Sequence, residues 1–83
     1  MLKTAQREAV IGKLVLSLQA ERLKQSLSLN EVATRSGLNR TMISRVEKRE
    51  RTPTIDTLLR ITDVLAVDLG ELIQQAVKDA RRR

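Results

Sequence analysis

The sequence predicts an all-α fold, a bundle of five helices with no sheet. Apolar residues recur every three or four positions along much of the 83-residue chain, which is the period of a helix with one buried face. Residues that commonly begin helices stand before four of these segments: Ser28, Asn39, Thr54 and Asp68. The chain has no Phe, Tyr or Trp. We therefore expect one domain over residues 1–83 with a small aliphatic core.

The first helix is predicted over residues 4–25, and residues 1–10 form its extended start. Its expected core face has helical spacing and comprises Ile11, Leu14, Leu18 and Arg22. Three further apolar residues do not fit on that stripe: Val10, Val15 and Leu16. We expect them either to meet a partner or to belong to a partly frayed segment.

The second helix is predicted over residues 29–36. Ser28 and Glu31 have the Ser-x-x-Glu spacing of a capping box, in which each side chain accepts a hydrogen bond from the other residue's backbone amide. Gly37 suits the left-handed turn position that ends a helix and that most residues avoid.

The third helix is predicted over residues 40–48, with Asn39 as its N-cap. Ala33 is small enough for a close crossing of the second and third helices. Four apolar residues are expected to hold this pair on the other helices: Val32, Leu38, Ile43 and Val46. Two short helices joined in this way form a helix-turn-helix, a unit that places its second helix in the DNA major groove.

The fourth and fifth helices follow Pro53, the only proline. Thr54 is expected to cap a helix that ends near Ala66, with an apolar stripe of Ile55, Leu58, Leu59, Thr62 and Leu65. Asp68 and Glu71 imitate a second capping box before a helix over residues 69–80. The apolar residues of that helix repeat with helical spacing: Leu69, Leu72, Ile73, Ala76, Val77 and Ala80.

Charge is distributed unevenly within the net +6 of the chain. Residues 35–51 hold six basic and two acidic groups, whereas residues 52–80 hold two basic and five acidic groups. A basic middle and an acidic later half indicate one surface for a polyanion and another surface with a different role. The residues 81–83 form a basic tail.

Composition narrows the classes of function. Without Cys or His, the chain lacks the commonest metal ligands and the commonest general base, so we expect no metal, no cofactor and no enzymatic activity. Without aromatic residues it lacks stacking platforms for single-stranded nucleic acid. The apolar run 10–18 is interrupted by Lys13 and is too short to cross a bilayer, so we expect a cytoplasmic protein without a membrane partner.

The segment from about Leu18 to Leu72 resembles the Xre-like, phage-repressor and Cro class of helix-turn-helix domains. The resemblance is carried by Ser-Leu-Asn-Glu-Val-Ala, Ser-Gly-Leu-Asn-Arg-Thr-Met-Ile-Ser-Arg-Val-Glu and Thr-Pro-Thr-Ile-Asp-Thr-Leu-Leu-Arg-Ile. It implies a lambda-repressor-like five-helix domain that binds DNA, usually as a homodimer on a palindromic site. It also implies an ion pair between Arg22 and Glu47. Two departures are the long segment before Ile11 and Met42, which stands where an aromatic residue is usual.

The resemblance places base-reading residues on the third helix: Arg40, Thr41, Ser44 and Arg45. Elementary chemistry agrees, because Arg can bond guanine O6 and N7 together and Thr offers a hydroxyl and a methyl to thymine. Around these residues we expect contacts to DNA phosphates from Ser28, Asn30, Arg35, Asn39, Lys48, Arg49 and Arg51. The N-terminus of the second helix adds free amides and a positive dipole end.

The leading hypothesis is a sequence-specific regulator of transcription that binds a pseudo-palindromic operator in double-stranded DNA. Part of the fourth and fifth helices is expected to form the homodimer interface, through Leu65, Leu69, Ile73 and Val77. Arg-Thr-x-Ile-Ser in the third helix also resembles restriction–modification controller proteins. The alternative is an antitoxin, whose main task is to hold a toxin, and RNA polymerase is a further possible protein partner.

Overall fold

The computed structural model describes residues 1–82, which form five α-helices and no strand. α1 spans Thr4–Lys24, α2 Leu29–Ser36, α3 Arg40–Glu47, α4 Ile55–Leu65 and α5 Leu69–Arg81. The expected all-α fold is confirmed, and each helix end falls within one residue of its predicted position. Of the predicted basic tail, Arg81 ends α5, and Arg83 lies outside the described residues.

The four predicted N-caps are all formed. The Ser28 hydroxyl accepts from the Glu31 amide at 3.0 Å, and the Glu31 carboxylate accepts from the Ser28 amide at 3.1 Å. Side-chain oxygens of Asn39, Thr54 and Asp68 each accept one backbone amide, at 2.7, 3.1 and 2.9 Å. Each bond satisfies one of the amides that a helix start leaves without a partner within the helix.

Left-handed residues end the turns after the first four helices. Gly37 has φ 73°, as predicted, and Ser26, Arg49 and Ala66 have φ between 57° and 62°. After each of them the next amide bonds back to a carbonyl five residues earlier, for example Leu38 to Ala33 at 3.0 Å. This is the Schellman arrangement, in which glycine is the usual left-handed residue. Three of the four positions here carry a side chain.

Packing of the first helix differs from the expectation in one place. α1 packs mainly against α5 and also contacts α3 and α4. Val15 is only 1% exposed and is therefore a core residue, not part of a free partner surface. Val10 packs partly buried against the core, while Leu16 is 62% exposed. The extra length of α1 is therefore helical, and Val10 within it packs against the core.

The buried face of α4 is rotated from the predicted stripe. Thr57 and Ile61 lie in the core beside Leu58, Thr62 and Leu65, whereas Ile55 and Leu59 are 62% and 53% exposed. The Thr62 hydroxyl can be buried because it donates to the Leu58 carbonyl of its own helix at 2.8 Å. The predicted stripe was right for Leu58, Thr62 and Leu65 and wrong for Ile55 and Leu59, whose places in the core are taken by Thr57 and Ile61.

Candidate nucleic-acid interface

α3 presents one face to the core and the opposite face to solvent. Ile43 and Val46 are 1% and 3% exposed, and Ile43 belongs to the same core cluster as Val32 and Ala33 of α2. All four predicted base-contacting residues lie outside that buried face. Arg40, Thr41 and Arg45 are exposed, and Ser44 is half-buried. The same helix therefore joins the core through its apolar residues and leaves a polar, doubly basic surface free.

All seven predicted phosphate-contacting residues are exposed: Ser28, Asn30, Arg35, Asn39, Lys48, Arg49 and Arg51. The Glu31 carboxylate occupies the start of α2, where it binds the Ser28 amide. Hydrogen bonds from Ser28 lower the pKa of Glu31, which keeps that carboxylate charged. At this helix start, the amides left for a phosphate are therefore those of Leu29 and Asn30.

Arg49 is exposed, and the end of its side chain also reaches α1. It follows the end of α3 in a left-handed conformation, and its guanidinium lies against α1 at Gly12. A β-carbon placed on Gly12 would come within 2.5 Å of the Arg49 Nη1. Gly12 thus provides the space that this side chain fills. The Arg49 guanidinium therefore lies beside α1, between the exposed side chains of Lys48 and Arg51 in the sequence.

The C-terminal end of α3 is anchored to α1 by the expected ion pair. Glu47 accepts from Arg22 Nε at 2.8 Å and from Arg22 Nη2 at 2.9 Å, and Gln19 donates to the same carboxylate at 3.2 Å. Both charged side chains are only 11% exposed. The hydrogen bonds that Arg22 donates to Glu47 raise the pKa of Arg22, so the guanidinium stays charged. Its third nitrogen donates to the Leu27 carbonyl at 2.9 Å.

A second polar contact, which the sequence analysis missed, lies before the N-terminal end of α3. Arg60 of α4 donates to the Ser36 carbonyl at 3.1 Å and to the Asp56 carboxylate at 2.9 Å. Ser36 is the last residue of α2 and directly precedes Gly37. The available signal was the Asp56–Arg60 spacing of four residues, which predicts an ion pair within one helix. It does not predict the reach to another helix.

The residues predicted for a dimer interface differ in how far they are exposed. Leu65 is 1% exposed and belongs to the core of the chain, so it offers no surface to a second copy. Leu69, Ile73 and Val77 are half-buried. The larger exposed apolar side chains of this half are instead Ile55 and Leu59 of α4. Leu59 borders an open cleft of about 380 Å³ that Val67 and Leu69 also line.

Comparison with known proteins gives one match. Residues 18–72 match the profile of a helix-turn-helix family, which covers more than half of the chain. No curated protein and no solved structure matches the chain significantly. Among residues 1–82, no helix is both long enough and apolar enough to cross a membrane. The matched region contains α2, α3 and α4 whole, together with the Arg22–Glu47 pair, and the chain therefore belongs to the Xre-like helix-turn-helix family of DNA-binding regulators.

Proposed function

We propose that this protein regulates transcription by binding a pseudo-palindromic operator in double-stranded DNA as a homodimer, with α3 in the major groove. The proposal depends mainly on the two faces of α3: Ile43 and Val46 are buried on one face, and Arg40, Thr41 and Arg45 are exposed outside it. A helix held by one face and basic on the other suits base reading. The proposal locates the protein in the cytoplasm, with the DNA.

Within the proposal, Arg40 and Arg45 discriminate bases, with Thr41 and Ser44 beside them. Arginine contacts guanine through two parallel hydrogen bonds, which carry sequence information. Lys48 and Arg51, together with the amides at the start of α2, hold the phosphates and carry no such information. The two kinds of contact respond differently to salt and to sequence.

The proposed homodimer uses the exposed apolar surface of α4 and the residues that border it. This surface, the α4 patch, comprises Ile55, Leu59, Val67 and Leu69. Ile73 and Val77 continue along α5 as half-buried neighbours. In the proposed dimer a two-fold axis passes through the patch, so that the patch meets its own copy. Binding to two half-sites then requires the two recognition helices to lie about 34 Å apart, one turn of duplex.

The proposal is tested by selecting duplexes from a randomised pool and then comparing variants on the enriched duplex and a scrambled one. Arg40→Ala should cost about 1–3 kcal/mol on the enriched duplex and relax preference at one base pair. Arg51→Ala should weaken binding to both duplexes alike and should reduce, by about one, the slope of the logarithm of the binding constant against the logarithm of salt concentration. Arg81→Ala, an exposed arginine at the end of α5, controls for lost charge. Equal losses on both duplexes for Arg40→Ala would identify it as a phosphate contact.

A second candidate is an antitoxin-type module that binds a protein and autoregulates its own operon. It is supported by the outer face of α1, where Leu16 and Leu23 are 62% and 60% exposed and Ala20, between them, is also exposed. If protein binding is the main role, Leu16→Glu with Leu23→Glu should abolish co-purification of a partner and leave operator binding intact. A restriction–modification controller is the narrower form of the first proposal, and the genes beside the selected sites distinguish it.

A further inference from the structure

We propose that Arg60 is a positioning residue for the recognition helix α3. By binding the turn that precedes α3, it fixes the orientation of the N-terminal end of that helix. The proposal rests on the DNA-reading role given to α3 above. Arg60 lies on α4, whose side chains otherwise enter the core or face solvent. Its guanidinium bridges the Ser36 carbonyl at 3.1 Å and the Asp56 carboxylate at 2.9 Å.

The Ser36 carbonyl has a specific need for an outside donor. It is among the last carbonyls of α2, which have no donor from a following turn of the helix. The closing hydrogen bonds of this turn go elsewhere, because the amides of Gly37 and Leu38 and the Ser36 hydroxyl all donate to the Ala33 carbonyl. A guanidinium has donors spread over three nitrogens, so Arg60 can serve the carboxylate and this carbonyl together.

Gly37 completes the arrangement. Its φ of 73° is the left-handed conformation that glycine takes without strain. A β-carbon on it would also lie 3.1 Å from the Arg60 Nη1, a tight approach. The same residue therefore ends α2 and leaves room for the guanidinium that binds the turn.

The two ends of α3 are held by different polar contacts. Glu47 ties the C-terminal end to Arg22 of α1. The N-terminal end carries exposed Arg40 and Thr41 and follows directly from the turn that Arg60 binds. Bidentate base contacts depend on hydrogen bonds with a narrow range of distance and angle, so a small rotation of this end weakens them. Phosphate contacts made by flexible side chains are less sensitive to such a rotation.

The position of Arg60 makes its structural and functional effects separable. The side chains of Arg60 and Asp56 are 47% and 72% exposed, and an ion pair this exposed adds little to stability. Arg60→Leu should therefore fold, with a small change in melting temperature. Its effect should appear in the discrimination between DNA sequences.

The experiment measures binding of the wild-type chain, Arg60→Leu, Arg60→Lys and the charge control Arg81→Leu. The probes are the duplex most enriched by the wild type from a randomised pool and a scrambled duplex of equal length. Arg60→Leu should lose about tenfold on the enriched duplex, which is about 1.4 kcal/mol. On the scrambled duplex it should lose no more than Arg81→Leu. Arg60→Lys should regain most of the loss, because an ammonium can still donate to the Ser36 carbonyl.

Amide hydrogen exchange supplies a measurement that does not depend on DNA. Arg60→Leu should speed exchange over residues 38–43 and leave α5 unchanged. Equal losses on both duplexes, or no loss beyond the Arg81→Leu control, would overturn the proposal. If the wild type enriches no duplex, the proposed function fails, and unchanged exchange over residues 38–43 then overturns the positioning role separately. If Arg60→Leu does not fold, Arg60→Gln, too short to reach the carbonyl, takes its place.

Discussion

Removing either partner of the Arg22–Glu47 pair should destabilise the protein far more than removing both. We consider Glu47→Leu, Arg22→Leu and the double variant. The carboxylate of Glu47 accepts two bonds from Arg22 and one from Gln19, and both charged side chains are 11% exposed. A charge this buried cannot recover by hydration what it loses when its partner is removed.

The expected cost follows from that burial. Breaking a buried pair from one side costs about 3–5 kcal/mol, and we take about 3 kcal/mol because some exposure remains and Leu27 still accepts from Arg22. For a domain of this size each kcal/mol lowers the melting temperature by about 4–8 °C, so the single variants should melt roughly 12–24 °C lower. The double variant leaves no charge unpaired and should lie closer to wild type than either single variant.

Urea denaturation followed by circular dichroism measures all four proteins. Two single losses of about 3 kcal/mol and a smaller double loss make the coupling between the two substitutions at least about 3 kcal/mol in the double-mutant cycle. Additive effects, or single losses below about 1 kcal/mol, a value typical of exposed pairs, would refute the reasoning. Operator binding by the folded double variant should also weaken, because the C-terminal end of α3 loses its tie to α1.

Three further predictions concern other elements. Ala66→Gly should raise the free energy of unfolding by about 0.5–1 kcal/mol, because the left-handed conformation costs alanine about 1–2 kcal/mol, more than the chain entropy that glycine adds to the unfolded state. The control Ala20→Gly, inside α1, should lower it by about 1 kcal/mol, and equal losses for both variants in urea melts would contradict this. Hydrogen bonds from Ser28 lower the pKa of Glu31 in the folded state, so the ionised Glu31 stabilises the fold above the ordinary glutamate pKa, and this stabilisation is lost as pH falls through the lowered pKa. Glu31→Gln should therefore lose less stability in acid than the wild type, and the same fall of melting temperature with pH in both proteins would count against it. Leu59→Glu should convert a particle of twice 9.4 kDa to one of 9.4 kDa in sedimentation, and a variant that stays dimeric would remove the α4 patch from the interface.

The helices were predictable because their starts and ends are local. Ser28 and Asn39 bond to amides only three residues away, and Gly37 acts on its own backbone, so the sequence contains both partners of each interaction. The exposed face of α3 followed from the resemblance and from helical spacing. The Arg22–Glu47 pair spans 25 positions and was expected only because the family implied it.

What the sequence could not predict depends on rotation and reach. The buried face of α4 includes Thr57 in place of the more apolar Ile55 and Leu59, and a threonine does not by its residue type predict burial. Arg49 and Arg60 are both basic residues and look alike in the sequence. In the structure the Arg49 side chain lies against Gly12 of α1, whereas Arg60 binds the turn after α2. A long flexible side chain can reach many places, and the neighbouring backbone decides which one it takes.

The packing of α1 on α5 bears on where this domain can be cut. Leu14 and Val15 precede the region shared with the family, and Ala76 and Ala80 follow it, yet all four are buried. Deleting one of these flanking segments would uncover the apolar side of the other. A fragment trimmed to residues 18–72 would therefore lose part of its interior from both ends, so a stable fragment of this domain has to keep both flanks.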